Sequence, residues 1–441
     1  MSTAEPTPVP VPGLGNESTY KPRYIDIGIN LADPIFRGQY HGTQRHPDDL
    51  SAVVSRAREV GCHKLIITGS DFTSSRHALE IAKEYRELFA NCLMNYEPEE
   101  ADRTEAGTVY TTAGIHPCSS AIFSTTHSHI DTNGHTMPCD PDPSKPISED
   151  DEPDVERTTS IIGELREFIE QARSSSSGPS PLVAFGEFGL DYDRLHYCSK
   201  KIQLHSFAAQ LDLVLSLKPQ LPLFLHSRAA HTDFVGLLKE KFGPRLEKLE
   251  RGAVVHSFTG TAEEMRELMD LGLYIGTNGC SFKTAENCAV VQEIHLDRLM
   301  LETDGPWCEV RPSHEGWKYL IEAPKPAEVP SADSSTATST EANSAETTGI
   351  STPSEPAKQQ PKGKQQQQSK KQPKKKEPEV AERYKVVKKE KWVEGAMVKG
   401  RNEPCMIERV GKIVAGIKGV SVEEVCEAAW RNTTKVFPVD E

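Results

Sequence analysis

The sequence predicts an α/β fold, a TIM (β/α)8 barrel with two insertions. Apolar runs typical of buried strands alternate with segments that have helical apolar spacing. Eight such strands can be counted, and that number favours a closed barrel over an open sheet. A doubly wound sheet is the alternative, but no glycine-rich phosphate loop follows the first strand.

Short apolar, β-branched runs mark the strands, and apolar residues three or four positions apart mark the helices. The predicted strands are residues 24–31, 63–69, 109–114, 182–191, 222–226, 253–258, 274–277 and 298–303. The predicted helices are residues 48–60, 74–88, 159–173, 200–217, 231–242, 262–271, 285–294, 405–417 and 421–435. Gly61 directly follows the first helix and is a typical helix stop.

Shifts in composition divide the chain into a barrel and less ordered segments. The barrel is assigned to residues 21–323 and 396–441. A disordered N-terminus is predicted at residues 1–20, and a polar loop insertion at residues 119–158. Residues 324–395 are predicted to be a mostly disordered insertion, rich first in Ser, Thr and Pro and then in Gln and Lys.

Composition narrows the class of protein. Hydrophobic content of 36% and a mean hydropathy of -0.52 are low for a compact globule, which agrees with partial disorder. A net charge of -14 argues against nonspecific coating of nucleic acid. No signal peptide, membrane span or CxxC pair is found, so we expect an intracellular protein with reduced thiols, in the cytoplasm, the nucleus or both. The sequence leaves the oligomeric state open, and a monomer is plausible.

A lysine-rich stretch at residues 370–376 follows four consecutive glutamines. A plain solvated linker is one interpretation of this segment. A basic arm for nucleic acid, or a nuclear-import signal, is the other, because lysine runs attract phosphate.

Four predicted strands end at or near residues that can ligate a metal: Glu187, His226, His256 and Asp304. Barrel enzymes carry their catalytic groups at the carboxyl ends of the strands, so these side chains are expected to converge. Two imidazoles and two carboxylates form a mixed site suited to Zn²⁺, Mn²⁺ or Mg²⁺. The glycines around Glu187 are expected to leave room for metal and substrate.

Three further side chains suit an anionic substrate or a supporting role. Arg228 lies two residues past His226 and can fork onto phosphate oxygens. His116 ends the third strand, where it either meets phosphate, relays a proton or only bonds to its own loop. Asp191 is expected either to orient a ligand through a hydrogen bond or to react.

Seven motifs resemble those of the TatD-type metal-dependent deoxyribonucleases and occur in that family's order. They are DIGINL at 26–31, GIHP at 114–117, GEFGLD at 186–191, HSR at 226–228, HSFTG at 256–260, ETD at 302–304 and RNEP at 401–404. The resemblance implies a metal-dependent barrel of the amidohydrolase kind that hydrolyses DNA phosphodiesters, often as a 3′-5′ exonuclease. It also implies Glu187, His226, His256 and Asp304 as the metal ligands.

The first strand departs from the wider family. Many members carry a His-x-His pair there that helps to hold a second metal, whereas this chain has Gly28 and Asn30. This pattern resembles the branch that contains TatD itself. Asn30 is expected to support the site as a weak ligand or hydrogen-bonding group, and Asp26 either binds metal or braces the strand. We expect one or two divalent ions, Mg²⁺ first, with Mn²⁺ or Zn²⁺ as alternatives.

The hypothesis is metal-assisted hydrolysis of DNA, with RNA as a further substrate to test. Asp304 is expected to be the general base and Glu187 the ligand shared by both metal positions. Arg228 and His116 are expected to stabilise charge on the phosphoryl oxygens. Hydrolysis of a carbon–nitrogen or ester bond is the alternative, and an inactive barrel used as a binding platform is a third hypothesis.

Overall fold

The computed structural model of the chain describes residues 20–95, 108–126, 152–174, 179–321 and 380–439. The predicted disordered N-terminus, residues 1–20, lies outside the described residues except for Tyr20. Residues 127–151 of the first predicted insertion and 324–379 of the second also lie outside them.

Eight parallel strands form one sheet whose spatial order follows the chain. They are β1 (Tyr24–Ile29), β2 (Cys62–Ile67), β3 (Thr108–Ala113), β4 (Leu182–Asp191), β5 (Leu223–Arg228), β6 (Ala253–Val255), β7 (Tyr274–Thr277) and β8 (Leu299–Leu301). After β8 the chain returns to β1. The amide of Asp304 donates to the carbonyl of Gly28 at 2.8 Å, and the amide of Asn30 donates to Gly305 at 2.8 Å. The predicted barrel is therefore confirmed, and the open doubly wound sheet is wrong.

Nine α-helices lie in the described residues; the first seven connect consecutive strands, as a parallel sheet requires, and the last two follow β8. They are α1 (Leu50–Glu59), α2 (Phe72–Asn95), α3 (Val155–Arg173), α4 (Lys200–Ser216), α5 (His231–Phe242), α6 (Ala262–Asp270), α7 (Ala285–Glu293), α8 (Ile407–Lys418) and α9 (Val422–Val436). Capping boxes begin two of them, Thr261 with Glu264 at α6 and Ser421 with Glu424 at α9. Most bounds lie within a few residues of the predicted ones.

Apolar side chains fill the barrel near the amino ends of its strands. The cluster contains Ile25, Ile27, Ile66, Tyr110, Val183, Ala184, Phe224, Val254, Tyr274 and Met300. Val436 at the end of α9 joins it, with Phe437 and Val439. Full burial of a large apolar side chain contributes about 1.5–3 kcal/mol, so this end of the barrel supplies stability. The carboxyl ends of the strands are left for the functional site.

Residues 380–402 rejoin the barrel through a buried ionic cluster. The guanidinium of Arg401 donates to both oxygens of Asp49, at 2.8 and 2.6 Å, and to Glu403 at 2.8 Å. Arg56 of α1 donates to the other oxygen of Glu403 at 2.8 Å. Removing one partner of a buried ion pair typically costs about 3–5 kcal/mol. The returning segment is therefore firmly anchored to α1.

The described edges of the two predicted insertions contain regular structure. A 3-10 helix, Pro117–Phe123, follows β3, and α3 already begins at Val155. Within the second insertion, Val386–Val387 pairs in parallel with Met397–Val398. Phe123 is fully buried, which explains why a segment of polar composition is ordered there.

Candidate active site

A cavity of about 620 Å³ opens at the carboxyl ends of the strands. Strand ends and the loops that follow them supply its lining, as in barrel enzymes generally. Its lining residues include Asn30, His116, Glu187, Arg194, His226, Arg228, His256, Lys283, Asp304 and Trp307. Of the residues predicted to form the site, Asp191 and Asp26 are not in this lining.

Glu187 lies at the centre of the polar cluster. Its Oε1 atom is 2.9 Å from Nδ1 of His226, 2.6 Å from Nε2 of His256 and 3.3 Å from Nε2 of His116. The predicted strand 182–191 is confirmed as β4, so Glu187 lies within the strand and not at its end. The carboxylate projects from within the strand, where the barrel wall holds it rigidly.

Gly186 and Gly189 flank Glu187 for a reason other than the predicted one. A Cβ atom at Gly186 would lie 2.1 Å from the carbonyl oxygen of Phe224. One at Gly189 would lie 1.9 Å from the carbonyl oxygen of His226. Both glycines therefore let β4 approach the backbone of β5. These contacts explain both glycines without any role at the metal, so room for metal and substrate stays a prediction.

A buried carboxylate faces the far nitrogen of two of these imidazoles. Asp191 Oδ2 is 3.2 Å from Nε2 of His226, and Glu302 Oε2 is 3.3 Å from Nδ1 of His256. A carboxylate that accepts the proton of one ring nitrogen leaves a lone pair on the other. The lone pairs are then on His226 Nδ1 and His256 Nε2, the two nitrogens that face Glu187.

Three atoms with lone pairs therefore converge: Glu187 Oε1, His226 Nδ1 and His256 Nε2. They are separated by 2.6, 2.9 and 3.2 Å. Donor atoms that each lie about 2.1 Å from one ion are roughly 3 Å apart, so this spacing suits a bound cation. Mixed oxygen and nitrogen donors also suit Zn²⁺, Mn²⁺ or Mg²⁺. The residues present fit a divalent metal.

His116 offers a second combination of ligands. One atom each of His116, Glu187 and His226 lie within 4.8 Å of one another, close enough to hold an ion. However, Nδ1 of His116 accepts a hydrogen bond from the amide of Cys118 at 3.0 Å, so the neutral ring carries its proton on Nε2. A protonated nitrogen is a hydrogen-bond donor and not a ligand. His116 is therefore better suited to donate to Glu187 or to a substrate oxygen.

Asp304 lines the cavity and is held by two neighbours. Its Oδ1 accepts from Asn30 Nδ2 at 3.1 Å, and its Oδ2 accepts from the Cys308 thiol at 3.2 Å. The hydroxyl of Thr68 donates to Asn30 Oδ1 at 2.5 Å, which fixes the amide with its NH₂ group toward Asp304. Asn30 thus orients Asp304, and its oxygen is already bonded.

Asp26 is fully buried and does not line the cavity. Its carboxylate accepts from the amide and hydroxyl of Thr303, at 2.9 and 2.5 Å, and from the amide of Gly28 at 3.2 Å. Burial raises the pKa of Asp26 to about 8, although the hydrogen bonds from Thr303 oppose the shift. Of the two roles that the sequence leaves open, these contacts favour bracing β1 against the chain after β8.

The missing side chain at Gly28 makes room for Glu302. A Cβ atom at Gly28 would lie 2.5 Å from Glu302 Oε2. The other oxygen of Glu302 accepts a hydrogen bond from the amide of Ser257, directly after His256. Glu302 had no predicted role of its own. The signal that identified Glu187, a carboxylate at the end of an apolar run, applies to it equally.

Two glutamines of α4 hold the end of β4 at Asp191 and the loop that carries His116. Gln203 accepts from the amide of Asp191 at 2.8 Å and donates to its carbonyl at 2.9 Å. Gln210 bonds the backbone of Ile115 in the same way, at 2.8 and 3.0 Å. Both glutamines are fully buried. The sequence does not predict them, because glutamine on a helix usually faces solvent.

Cationic and aromatic side chains line the cavity around this cluster. Arg228 Nη1 is 3.9 Å from Asp191 Oδ2, and Arg194 Nε is 3.8 Å from the same oxygen. Lys283 and Trp307 also line the cavity, and Trp307 is 40% exposed. Cations of this kind bind phosphate, and exposed indoles stack on nucleobases. Only Arg228 among them was predicted.

Burial and neighbouring charges set the ionisation of the central carboxylates. Burial alone would raise the pKa of Glu187, but the positive charge that the rings of His256 and His116 carry when protonated outweighs burial and lowers this pKa well below its usual value. Burial also acts against ionisation of Asp191, yet the hydrogen bond from His226 and the charge of Arg228 lower its pKa to about 2. Both groups are therefore carboxylates at neutral pH, as ligation and ring orientation require.

Two cysteines lie beside Asp304. Cys280 Sγ and Cys308 Sγ are 2.9 Å apart, and both residues line the cavity. The hydrogen bond between the two thiols lowers the pKa of Cys280 to about 7, and the charge of Lys283 contributes to the shift. The same hydrogen bond, together with burial, raises the pKa of Cys308. Because the two residues are 28 positions apart, no local motif predicts their contact.

Comparisons with known proteins agree with this geometry. A model of the family described as "TatD related DNase" matches residues 25–350. The chain is 36% identical over 415 residues to "Deoxyribonuclease Tat-D" of Schizosaccharomyces pombe, covering 94% of this chain and 96% of that protein. It is 30% identical over 286 residues to "3'-5' ssDNA/RNA exonuclease TatD" of Erwinia tasmaniensis, covering 64% of this chain and 80% of that protein.

A solved structure supports the fold as well. It is described as an uncharacterized amidohydrolase from Saccharomyces cerevisiae and matches with a TM-score of 0.66 at 30% identity, covering 94% of this chain and 100% of that chain. Within the described residues, every helix is too short or too polar to cross a lipid bilayer.

Proposed function

The chain belongs to the family of TatD-related DNases, and on that premise we propose that it hydrolyses DNA phosphodiesters as a 3′-5′ exonuclease. The observation that carries the proposal is the convergence of Glu187 Oε1, His226 Nδ1 and His256 Nε2 within 2.6 to 3.2 Å. Arg228, on the same cavity wall, favours an anionic substrate. Membership of the family makes the protein a metal-dependent hydrolase of ester bonds.

Glu187, His226 and His256 are the residues that would hold the first divalent ion. Asp304, with Glu187 shared, would hold a second. Mg²⁺ is our first choice, since oxygen donors from phosphate and carboxylate complete its preferred coordination. When bound, such an ion lowers the pKa of a coordinated water and polarises a phosphoryl oxygen.

The remaining side chains supply proton transfer and substrate binding. Asp304, oriented by Asn30, accepts the proton of the attacking water. His116, through Nε2–H, and Arg228 donate hydrogen bonds to the phosphoryl oxygens as charge develops there. Arg194 supplies a further positive charge for a neighbouring phosphate.

The exonuclease assignment rests on two lines of support. The relative from Erwinia tasmaniensis is described as a 3'-5' ssDNA/RNA exonuclease. A cavity of about 620 Å³ has the size of a small-molecule pocket, which suits a single-stranded chain end better than continuous duplex. RNA is therefore included as a second substrate. We also expect the protein to be located in the cytoplasm, the nucleus or both.

Digestion of end-labelled oligonucleotides tests the proposal. Metal-depleted full-length protein should be inactive on DNA and RNA, and Mg²⁺ or Mn²⁺ should restore shortening from the 3′ end of single strands. A phosphorothioate block at the 3′ end should stop digestion, whereas the same block at the 5′ end should not. A Glu187→Gln, Asp304→Asn double variant should lose at least about 1,000-fold in rate. Unchanged cleavage by that variant would refute the site assignment.

Hydrolysis of a carbon–nitrogen or ester bond is a second candidate. The observation in its favour is that the structural relative from Saccharomyces cerevisiae is described as an amidohydrolase. A panel of cyclic amides, aminoacyl esters and oligonucleotides, assayed under identical metal conditions, separates the two functions. Turnover of oligonucleotides alone supports the nuclease, and turnover of amides or esters alone supports the alternative.

A binding platform is the third candidate, with the lysine-rich insertion as its contact to nucleic acid. Deleting residues 324–382 tests the insertion directly. We expect turnover to persist with little change in DNA affinity, which would make the segment a spacer. A large loss of affinity with retained turnover would make it a tether, and binding without any turnover would favour the platform.

A further inference from the structure

Cys280 and Cys308 form a thiol pair in the wall of the cavity. Cys280 lies in the 3-10 helix Gly279–Phe282, which follows β7, and Cys308 lies in the loop after β8. Their sulfur atoms are 2.9 Å apart, and both thiols are reduced. A disulfide bond measures about 2.05 Å, so closing the pair requires the sulfur atoms to approach by only about 0.9 Å.

The backbone around the pair is arranged for this close approach. A Cβ atom at Gly279 would lie 1.8 Å from the carbonyl oxygen of Cys308, so only glycine lets the two loops meet there. Cys308 itself has a φ of +55°, a conformation that residues other than glycine seldom adopt. The loops after β7 and β8 are therefore held together before any bond forms between them.

The pair is connected to the proposed catalytic machinery through one hydrogen bond. The thiol of Cys308 donates to Asp304 Oδ2 at 3.2 Å, and the amide of Trp307 donates to the carbonyl of Asp304 at 3.0 Å. A sulfur atom in a disulfide has no proton to donate. Oxidation of the pair therefore removes one of the two side-chain donors that hold Asp304 among the described residues, the other being Asn30.

We propose that Cys280 and Cys308 are an oxidative modification site, at which a hydroperoxide forms a reversible disulfide that lowers the rate of hydrolysis. The effect on rate rests on the proposed nuclease function. The location in the cavity wall gives a small peroxide access from solvent.

The chemistry takes place in two balanced steps. Cys280 sulfur attacks one peroxide oxygen, the O–O bond breaks, and a sulfenic acid and one molecule of alcohol or water are formed. Cys308 sulfur then attacks the sulfenic sulfur, the S–O bond breaks, and its thiol proton leaves with the hydroxyl group as water. The two thiols together lose two electrons, which reduce the peroxide. A dithiol reductant reverses the change by thiol–disulfide exchange.

Peptide mapping of the full-length protein tests the bond itself, independently of any activity. Protein treated with hydrogen peroxide is blocked with an alkylating agent and digested without reductant. We expect a cross-linked peptide that contains Cys280 and Cys308 and disappears after treatment with dithiothreitol. Absence of that peptide, with either sulfur instead alkylated or oxidised to sulfinic acid, would overturn the proposal.

Activity on single-stranded DNA, measured with redox-inert Mg²⁺, tests the consequence. Oxidised wild-type protein should lose about tenfold or more in rate and recover with dithiothreitol. Cys280→Ser should form no cross-link, and the same peroxide treatment should leave its own starting rate unchanged. Cys288→Ser, which removes a buried thiol of α7, should cross-link and lose activity as wild type does.

These measurements separate the two proposals. Reduced protein that is inactive in every metal refutes the nuclease function, whereas the mapped cross-link still reports on the cysteine pair. A fully cross-linked protein with an undiminished rate would overturn the inference and leave the nuclease function standing. Equal loss of activity in Cys280→Ser and wild type would also overturn it.

Discussion

Nδ1 of His256 lies 3.3 Å from Oε2 of Glu302, a carboxylate that has no exposed surface. The other oxygen of Glu302 accepts from the amide of Ser257, so the carboxylate cannot rotate without breaking that bond. The pair therefore keeps the ring turned with Nε2 toward Glu187. Glu302 controls the geometry of the site without being one of its proposed ligands.

Replacing Glu302 by Gln should lower metal affinity by about 10- to 100-fold. The amide oxygen keeps the bond from Ser257, which leaves an NH₂ group against Nδ1. The ring must then carry its proton on Nε2 and loses the lone pair that faces Glu187. Titration calorimetry of Mn²⁺ into metal-depleted protein measures the change. The control is Glu267→Gln, which alters a partly exposed pair between a carboxylate and His231 and should bind Mn²⁺ like wild type. Equal Mn²⁺ affinities of wild type, Glu302→Gln and Glu267→Gln would exclude the orienting role of Glu302.

Replacing His116 by Ala should reduce the rate about 100-fold while changing metal affinity by no more than about threefold. The reason is that the Cys118 amide fixes the proton of His116 on Nε2, where it can donate to a substrate but cannot ligate. Single-turnover rates and Mn²⁺ titrations give the two quantities. His226→Ala is the reference, because it removes a proposed metal ligand and should bind Mn²⁺ weakly. If His116→Ala bound Mn²⁺ as weakly as His226→Ala, His116 would be a ligand and the prediction would be wrong.

Replacing Trp307 by Ala should weaken binding of single-stranded DNA by about 5- to 100-fold, the range expected for one lost base stack. Its indole is 40% exposed and lines the cavity. Trp307→Phe should restore part of the affinity, because a phenyl ring also stacks. Fluorescence anisotropy with a metal-depleted protein measures binding without turnover. Trp392→Ala, which removes an indole stacked on His46, should not change affinity; similar losses in both variants would contradict a specific stack.

Asp26 should make the protein less stable as the pH rises. Its pKa is about 8 in the folded protein and about 3.9 when unfolded, so the folded state binds the extra proton between these values. Relative to Asp26→Asn, wild type should therefore lose free energy of unfolding from about pH 4 to about pH 8. Urea unfolding across this range measures the difference. The control Asp270→Asn, at an exposed position, should show the same pH dependence of the free energy of unfolding as wild type. A difference in free energy of unfolding between wild type and Asp26→Asn that does not change with pH would contradict a buried proton on Asp26.

The barrel could be predicted because its signals are local. Apolar runs, helical spacing and stops such as Gly61 each depend on a few neighbouring residues. The closure of β8 onto β1 follows from the number of strands. The order within 117–123 could not be predicted in this way, because it depends on burial of Phe123 by distant parts of the chain.

The part of the site that lies at the ends of strands could be predicted from the sequence. Glu187, His226 and His256 follow one rule, and the structure brings them together. The tautomer of His116 could not be predicted, because it depends on a hydrogen bond from the backbone amide of Cys118. The support that Gln203 gives to Asp191 could not be predicted either, because it depends on which face of α4 is buried. The contact between Cys280 and Cys308 could not be predicted, because only the folded barrel brings the two loops together.

The side chain of Glu302 occupies the space that a side chain at position 28 would need. This couples two positions that are far apart in the sequence. A Cβ atom at position 28 would lie 2.5 Å from Glu302 Oε2. A side chain there therefore requires Glu302, the carboxylate that orients His256, to move. A side chain added at position 28 crowds the inside of the barrel, and loss of the Glu302 carboxylate leaves the His256 ring without its hydrogen-bond partner. Neither substitution is therefore neutral on its own. A side chain at position 28 and the carboxylate at position 302 therefore depend on each other, and the effects of changing them on metal affinity should not add.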